Sequence, residues 1–460
     1  MTGALFNDTG IPQPTGETTY EYTSDGSTFC LTATSQSARA SFYASTTQLS
    51  PEPGACPGHD GYVTTVTDPI DMISISGSKR FYRAALAANG DLYLWGNNSH
   101  GQLGDGTTTH SSTPIKYDSS GTVLEGERIV QVVATSEPNV IILTDSGGVY
   151  GWGNNSHGQL GDGTETARVD PVAVATAGTP MEGKVIKQIA ASDNSTFALD
   201  ETGALYSWGN NSRGVLGINS SDYGDHTAPK QVQVAGSSIE GKQITQLFVN
   251  GGASNGGVIA SDGTMHMWGG DDYGQLGNGT TITGNKLMPD AVDMSAIDAN
   301  SDTIVQASSG GSGSVAIAAS GNVYTWGRNL YNELANSGGV KAPALVPAAG
   351  TALEGVHPFY AARDDASIYI ATNEGTAAAW GYSHGIWLGT GNGSFSKASP
   401  DPVVMTGTPL EGKTIVLTGP AMVVTSDGEV YTWGENTYGQ LGDGTTAESD
   451  YAVGPVLDLF

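Results

Sequence analysis

The chain has 460 residues, about three times an ordinary domain, so it holds several domains or a repeat array. Its 18 basic against 46 acidic residues leave a net charge of −28, which argues against binding to nucleic acid or to an anionic membrane. With 66 glycines, 38% hydrophobic and only 14% charged residues, it reads as a turn-rich all-β protein. It does not read as a charged disordered chain or a helical one, and no apolar run is long enough to span a membrane.

The chain opens Met1-Thr-Gly-Ala-Leu-Phe-Asn-Asp8, without the basic and apolar regions of a signal peptide. Residues 1–68 carry seven acids and a single base, Arg39, and are predicted to form a small β segment. Thr18–Thr23 and Thr28–Ala33 alternate like paired strands around Ser24-Asp-Gly-Ser27, and Ser41–Ser45 is a candidate third strand. Cys30 and Cys56 are the two cysteines of the chain. A disulfide between them would contribute about 3 kcal/mol to a segment with little core, and two unrelated buried thiols are the alternative. The tract Tyr20–Cys30, followed by Pro53-Gly-Ala-Cys-Pro-Gly-His59, resembles the β-rich C-terminal part of bacterial pilin-like proteins. That resemblance implies an extracellular or cell-surface bacterial location and assembly into a filament through this segment.

From residue 69 onward the chain repeats. Trp-Gly pairs begin at Trp95, Trp152, Trp208, Trp268, Trp326, Trp380 and Trp433, spaced by 57, 56, 60, 58, 54 and 53 residues. In the second copy Ile129–Ala134, Val140–Thr144, Val149–Trp152 and Pro171–Val174 read as four short strands, with Asp145-Ser-Gly-Gly148 as a turn. A lone four-stranded sheet cannot bury both faces, so seven such sheets over 69–460 are expected to pack as the blades of a propeller. Tyr93, Tyr150, Tyr206, Tyr324 and Tyr431 stand two residues before a Trp, and so on the same strand face, which predicts an aromatic layer between blades. Pro455–Phe460 either completes the last blade or pairs into the first.

The runs Trp95-Gly-Asn-Asn-Ser-His-Gly-Gln-Leu-Gly-Asp-Gly106, Trp152–Gly163 and Trp433–Gly444 resemble the regulator of chromosome condensation repeat. The resemblance implies a seven-bladed propeller, and its best-known activity is nucleotide exchange on a small GTPase. Eukaryotic members place a Gly-x-x-His step before the strand leading to the Trp hairpin. Here those stretches read Ser136-Glu-Pro-Asn, Ser192-Asp-Asn-Ser and Gly310-Gly-Ser-Gly.

No zinc spacing is present, and no metal or cofactor is expected. Gly407-Thr-Pro-Leu-Glu-Gly-Lys-Thr414 fits a phosphate loop in letters, but a strand follows it and other copies carry Gly178–Val185 and Gly236–Gln243 in its place. Asp222, Asp225, Asp271 and Asp272 have calcium-compatible oxygens without a twelve-residue calcium loop.

Five residues after each Trp, four in the sixth copy, stand His100, His157, Arg213, Tyr273, Tyr331, His384 and Tyr438. Each pairs a flat π-system with a polar edge, so the set reads either as cover for its own loops or as a contact ring. Tyr223 and Trp387 lie in the loops that differ most between copies and join the candidates. The expected function is a non-enzymatic, extracytoplasmic recognition or adhesion module whose loops meet a protein or glycan on a surface. The alternatives are an exchange-factor-like regulator of a small GTPase and a propeller enzyme acting on polysaccharide through paired carboxylates at the channel mouth.

Overall fold

A computed structural model describes residues 19–24, 29–34, 74–77 and 81–459, except 250–251, 253, 281–283, 336–339, 384–385 and 392. The chain divides into two compact units, Met1–Val66 and Thr67–Phe460. In the first, Thr19–Ser24 and Phe29–Thr34 form an antiparallel hairpin with Thr23 opposite Cys30. Cys56 and the third strand suggested at 41–45 fall outside the described residues, so the disulfide is not shown.

The second unit is a seven-bladed propeller of four-stranded antiparallel sheets, each built from four consecutive strands. The blades, numbered 1 to 7, span 74–116, 129–173, 186–231, 244–291, 304–345, 358–402 and 415–458. In blade 2 the strands are Ile129–Ala134, Asn139–Thr144, Val149–Gly153 and Arg168–Ala173, within a few residues of the pattern in the sequence.

First strands sit innermost and are clamped to one another. The Gln131 side-chain amide takes the Ile189 N–H and donates to the Ile189 carbonyl, at 2.9 and 2.8 Å. Gln188 does the same to Leu247, and Gln306 to Ala361. Second strands are buried throughout, because a neighbouring blade covers each sheet face, and this is why Val140-Ile-Ile-Leu143 is apolar without alternation. Fourth strands form the exposed outer edge. Pro114, Pro171, Pro229, Pro289, Pro343 and Pro400 each lie where the register with the third strand shifts. A proline has no N–H to offer another chain, so these positions blunt the edge where the ladder is already broken.

Seven apolar clusters fill the seven blade junctions, including the one between blade 7 and blade 1. Each repeat Trp is fully buried, and its indole N–H donates to a backbone carbonyl of the preceding blade's loop at 2.8–3.1 Å. Gly161 makes room for one such contact: at φ +71° a Cβ there would lie 2.6 Å from Trp208 Nε1. Tyr206, Tyr324 and Tyr431 share the cluster of the Trp two residues on, which places the predicted aromatic layer between blades. Their hydroxyls donate to Asp200, Asp302 and Glu429, and burial together with those carboxylates pushes Tyr324 and Tyr431 up to about 12.

The C-terminal strand, Ser449–Asp458, pairs with Glu429–Gly434 and completes blade 7, so the ring closes with no strand shared between first and last blades. Closure falls to side chains. Trp95 donates to the Gln440 carbonyl, and the buried Arg83 guanidinium donates to the carbonyls of Gln440, Pro420 and Trp433. Burial lowers Arg83 to about 10, still well above neutral pH, so the latch remains charged.

Candidate functional site

Antiparallel order puts two sets of loops on one face of the propeller: the loops joining strands 1 and 2, near the axis, and those joining strands 3 and 4, further out. The opposite face carries the hairpin turns and the connectors between blades. There the phosphate-loop likeness dissolves, because the Gly407 amide donates to Glu411 within its own connector at 2.7 Å. Gly121, Gly178, Gly236 and Gly350 make the same bond to Glu125, Glu182, Glu240 and Glu354. A carboxylate already holds the amide a phosphate would require.

On the first face the strand 3–4 loops share one hydrogen-bonded frame. In blade 1, Asn98 Oδ1 accepts from the Leu103 N–H and Gln102 Oε1 from the His100 N–H, both at 2.9 Å. Asp105 Oδ1 accepts from the Thr107 N–H and hydroxyl. Asn155, Gln159 and Asp162 repeat this in blade 2. In blade 7, Asn436, Gln440 and Asp443 repeat it again. Blade 4 substitutes Asp271, whose carboxyl burial pushes up, and blade 5 substitutes Glu333, which takes the Tyr331 N–H. The frame therefore consumes the Asn, Gln and Asp of the motif and leaves the residue five after Trp to project from it.

Several of those residues lean on the following blade. His157 Nδ1 lies 2.9 Å from Asp225 of blade 3. Arg213, at φ +64°, forms an ion pair with Asp272 of blade 4. The Tyr331 ring centroid is 4.6 Å from that of Tyr382 in blade 6, and Tyr438 lies edge-on to His110 of blade 1 at 5.1 Å. His100, Tyr273 and Tyr223 are exposed, whereas His384 lies outside the described residues. Trp387 is a correction to the sequence reading. It takes the place of the frame's glutamine, is 1% exposed, and offers its carbonyl to Trp433 Nε1, so it belongs to a blade junction and presents no surface. The calcium-compatible aspartates are also engaged: Asp222 by the Gly224 N–H, Asp225 by Asn210 and His157, Asp271 by the Leu276 N–H, and Asp272 by Arg213. Among the described residues no group of three acids, histidines or cysteines could hold a metal.

Two features escaped the sequence reading. Leu330 and Phe395, 66% and 69% exposed, stand on the loops of blades 5 and 6 beside Tyr331 and Tyr382. Phe395 is held there by its carbonyl, which accepts from the Ser383 N–H at 2.9 Å. Acids also converge at the axis. Asp365 of blade 6 reaches across to blade 4, where a Cβ on Gly252 would strike its carboxylate. The Asp193 carboxyl is pushed up, chiefly by burial and then by the Asp365 charge, while the Ser136 and Gly252 amides oppose this. These acids pack against glycine backbone, with Gly252 against the Asp365 carboxylate and Gly311 against its carbonyl. A cavity of about 350 Å³ lies elsewhere, at the outer rim, between the blade 6–7 connector (Val404, Thr406–Pro409) and Tyr451.

Comparison with known proteins agrees with this architecture. An RCC1-like domain model matches residues 51–419, and a regulator of chromosome condensation (RCC1) repeat matches residues 427–457. The ultraviolet-B receptor UVR8 of Arabidopsis thaliana is 26% identical over 84% of this chain and 82% of its own. The human E3 ubiquitin-protein ligase HERC2 is 28% identical over 85% of this chain, which spans 7% of that protein. Yeast RCC1 (Prp20), solved with Kap60, superposes with a TM-score of 0.62 at 19% identity, covering 88% of this chain and 89% of that one. These relatives are intracellular eukaryotic proteins, which overturns the expected extracellular or cell-surface bacterial location. The pilin likeness, adhesion, glycan binding and filament assembly find no support in them. The chain belongs to the RCC1-like family of β-propellers.

Proposed function

We propose that this propeller is a protein-docking regulator, and that the face bearing the strand 3–4 loops is its contact surface. The observation that carries the reading is the division of labour within those loops. Their Asn, Gln and Asp side chains are spent on a rigid frame, and Tyr273, Leu330, Tyr331 and Phe395 are left projecting into solvent. Pre-ordered loops that expose aromatic side chains bind at a low entropic cost. The relatives supply context. Yeast Prp20p was solved together with a description of its binding to Gsp1p and histones, and yeast RCC1 was solved bound to Kap60.

A second reading, nucleotide exchange on a small GTPase, is favoured by family membership and by the Gsp1p binding of Prp20p. Release of a fluorescent guanosine diphosphate from purified small GTPases, with and without the full chain, separates the two readings. Acceleration that is lost in Tyr331→Ala would establish exchange through this face. Binding without acceleration leaves a docking regulator, and neither binding nor acceleration by any protein would remove both.

A further inference from the structure

We propose that the junction of blades 5 and 6 on the strand 3–4 loop face docks a basic protein segment, one that carries an apolar or aromatic anchor flanked by arginine or lysine. The inference rests on the docking reading above and narrows it to one place and one partner chemistry.

Three observations converge on this junction. The first is apolar exposure: Leu330 and Phe395 are among the most exposed large hydrophobic side chains of the described residues, and they come from adjacent blades. Tyr331 and Tyr382, in ring contact, lie in the same two loops and tie the patch together. Leaving such side chains in water gains the folded chain nothing, whereas a partner that covers Leu330 and Phe395 removes their apolar surface from water.

The second observation is charge. Among the described residues, the loops on this face of blades 3 to 6 hold eight acids: Asp193, Asp222, Asp225, Asp271, Asp272, Glu333, Asp364 and Asp365. They hold two arginines, both occupied, and Lys286, Lys341 and Lys397 stand within the first two residues of the strands that follow, Lys286 paired with Asp290 and Lys397 with Asp401. Arg213 pairs with Asp272, and Arg328 pairs with Glu333 at 3.0 Å while also donating to the Asp365 carbonyl. That bond places the Asp364-Asp365 pair of blade 6 beside the loop that carries Leu330 and Tyr331.

The third observation is the negative field that the acids set up. The Asp193 carboxyl is raised chiefly by its own burial, and the Asp365 charge adds to that rise. A lysine or arginine entering here gains both from the carboxylates and from the faces of Tyr331 and Phe395.

Charge also decides among occupants. A second copy would bring another −28 and the same acid-rich face, so the patch is ill-suited to self-association. Nucleic acid and anionic lipid are repelled for the same reason.

The test uses the full chain and a fluorescein-labelled synthetic peptide in which arginine and lysine flank a central Leu-Phe pair. Two controls accompany it, one with glutamate in the flanks and one with Ser-Ser at the centre. The parent peptide is expected to bind with an affinity that falls as salt is raised, and both controls are expected to fail. The double variant Leu330→Ala/Phe395→Ala, which changes only exposed side chains, should weaken binding about tenfold or more, while Tyr223→Ala on blade 3 leaves it unchanged. Equal binding of the glutamate-flanked peptide, undiminished binding by the double variant, or sedimentation of the chain as a dimer that the double variant abolishes would each overturn the proposal. A photo-crosslink to protein from position 273 with none of these peptide results would sink the blade 5–6 assignment and leave the docking reading standing.

Discussion

The blade junctions and the loops above them are built from the same repeat but treat it in opposite ways. Every junction reuses one solution, a buried Trp donating to a carbonyl of the preceding blade, and even the junction without chain continuity, between blades 7 and 1, keeps it. The loops keep a common hydrogen-bond frame and vary what projects from it: histidine in blades 1 and 2, arginine in blade 3, tyrosine in blades 4, 5 and 7. A repeat protein can therefore hold its architecture fixed and alter its surface, because the side chains that close the frame are not the ones that face solvent.

That contrast can be broken by substitution, beginning with the interior. Trp208→Ala removes an indole and its hydrogen bond from the blade 2–3 junction and should cost about 3–5 kcal/mol, read as a lower midpoint in denaturant. A loss below about 1 kcal/mol would mean that the junction is not packed as described. Arg83→Met tests the closure. It takes the Arg83 donor from the Pro420 and Trp433 carbonyls and leaves Gln440 with Trp95 alone, and should cost about 2–3 kcal/mol, with hydrogen exchange rising first in blades 1 and 7. Uniform loosening around the ring would contradict the assignment of closure to this latch.

The axis mouth gives a smaller effect of opposite sign. Asp193 binds its proton more tightly in the folded protein than in the unfolded chain, so its ionisation lowers stability as pH rises from the ordinary carboxyl value of 3.8 through the raised folded one. Asp193→Asn should therefore raise the melting temperature at pH 7, and the gain should vanish as pH falls below about 4. A gain that persists at low pH would point to a cause other than charge. Smallest of all, Tyr273→Ala on the exposed face should change stability by about 0.5 kcal/mol or less.

The sequence revealed the architecture well and the surface poorly, for one physical reason. Burial between blades forces the same residue type at the same place, so the Trp register and the apolar second strands could be read directly. Exposure forces nothing. Leu330 precedes the ring position and Phe395 ends a loop, so neither stands out in a column of repeats, and only the fold shows that both are exposed on loops of adjacent blades. Trp387 misled for the converse reason: an aromatic in a variable loop looked like a contact, yet it fills the slot of the frame's glutamine and is buried there. The prolines of the fourth strands went unremarked in the sequence, and their meaning became clear once those strands proved to be outer edges.

The central claim, that one face receives a protein and the other does not, is tested most directly by site-specific photo-crosslinking. A photoreactive phenylalanine analogue replaces Tyr331 on the strand 3–4 loop face in one variant and Val185 on the connector face in another, positions 42% and 44% exposed. Illumination in a cell extract should yield discrete protein adducts from position 331 and none from 185. Adducts from 185 alone, or equally from both, would contradict the account.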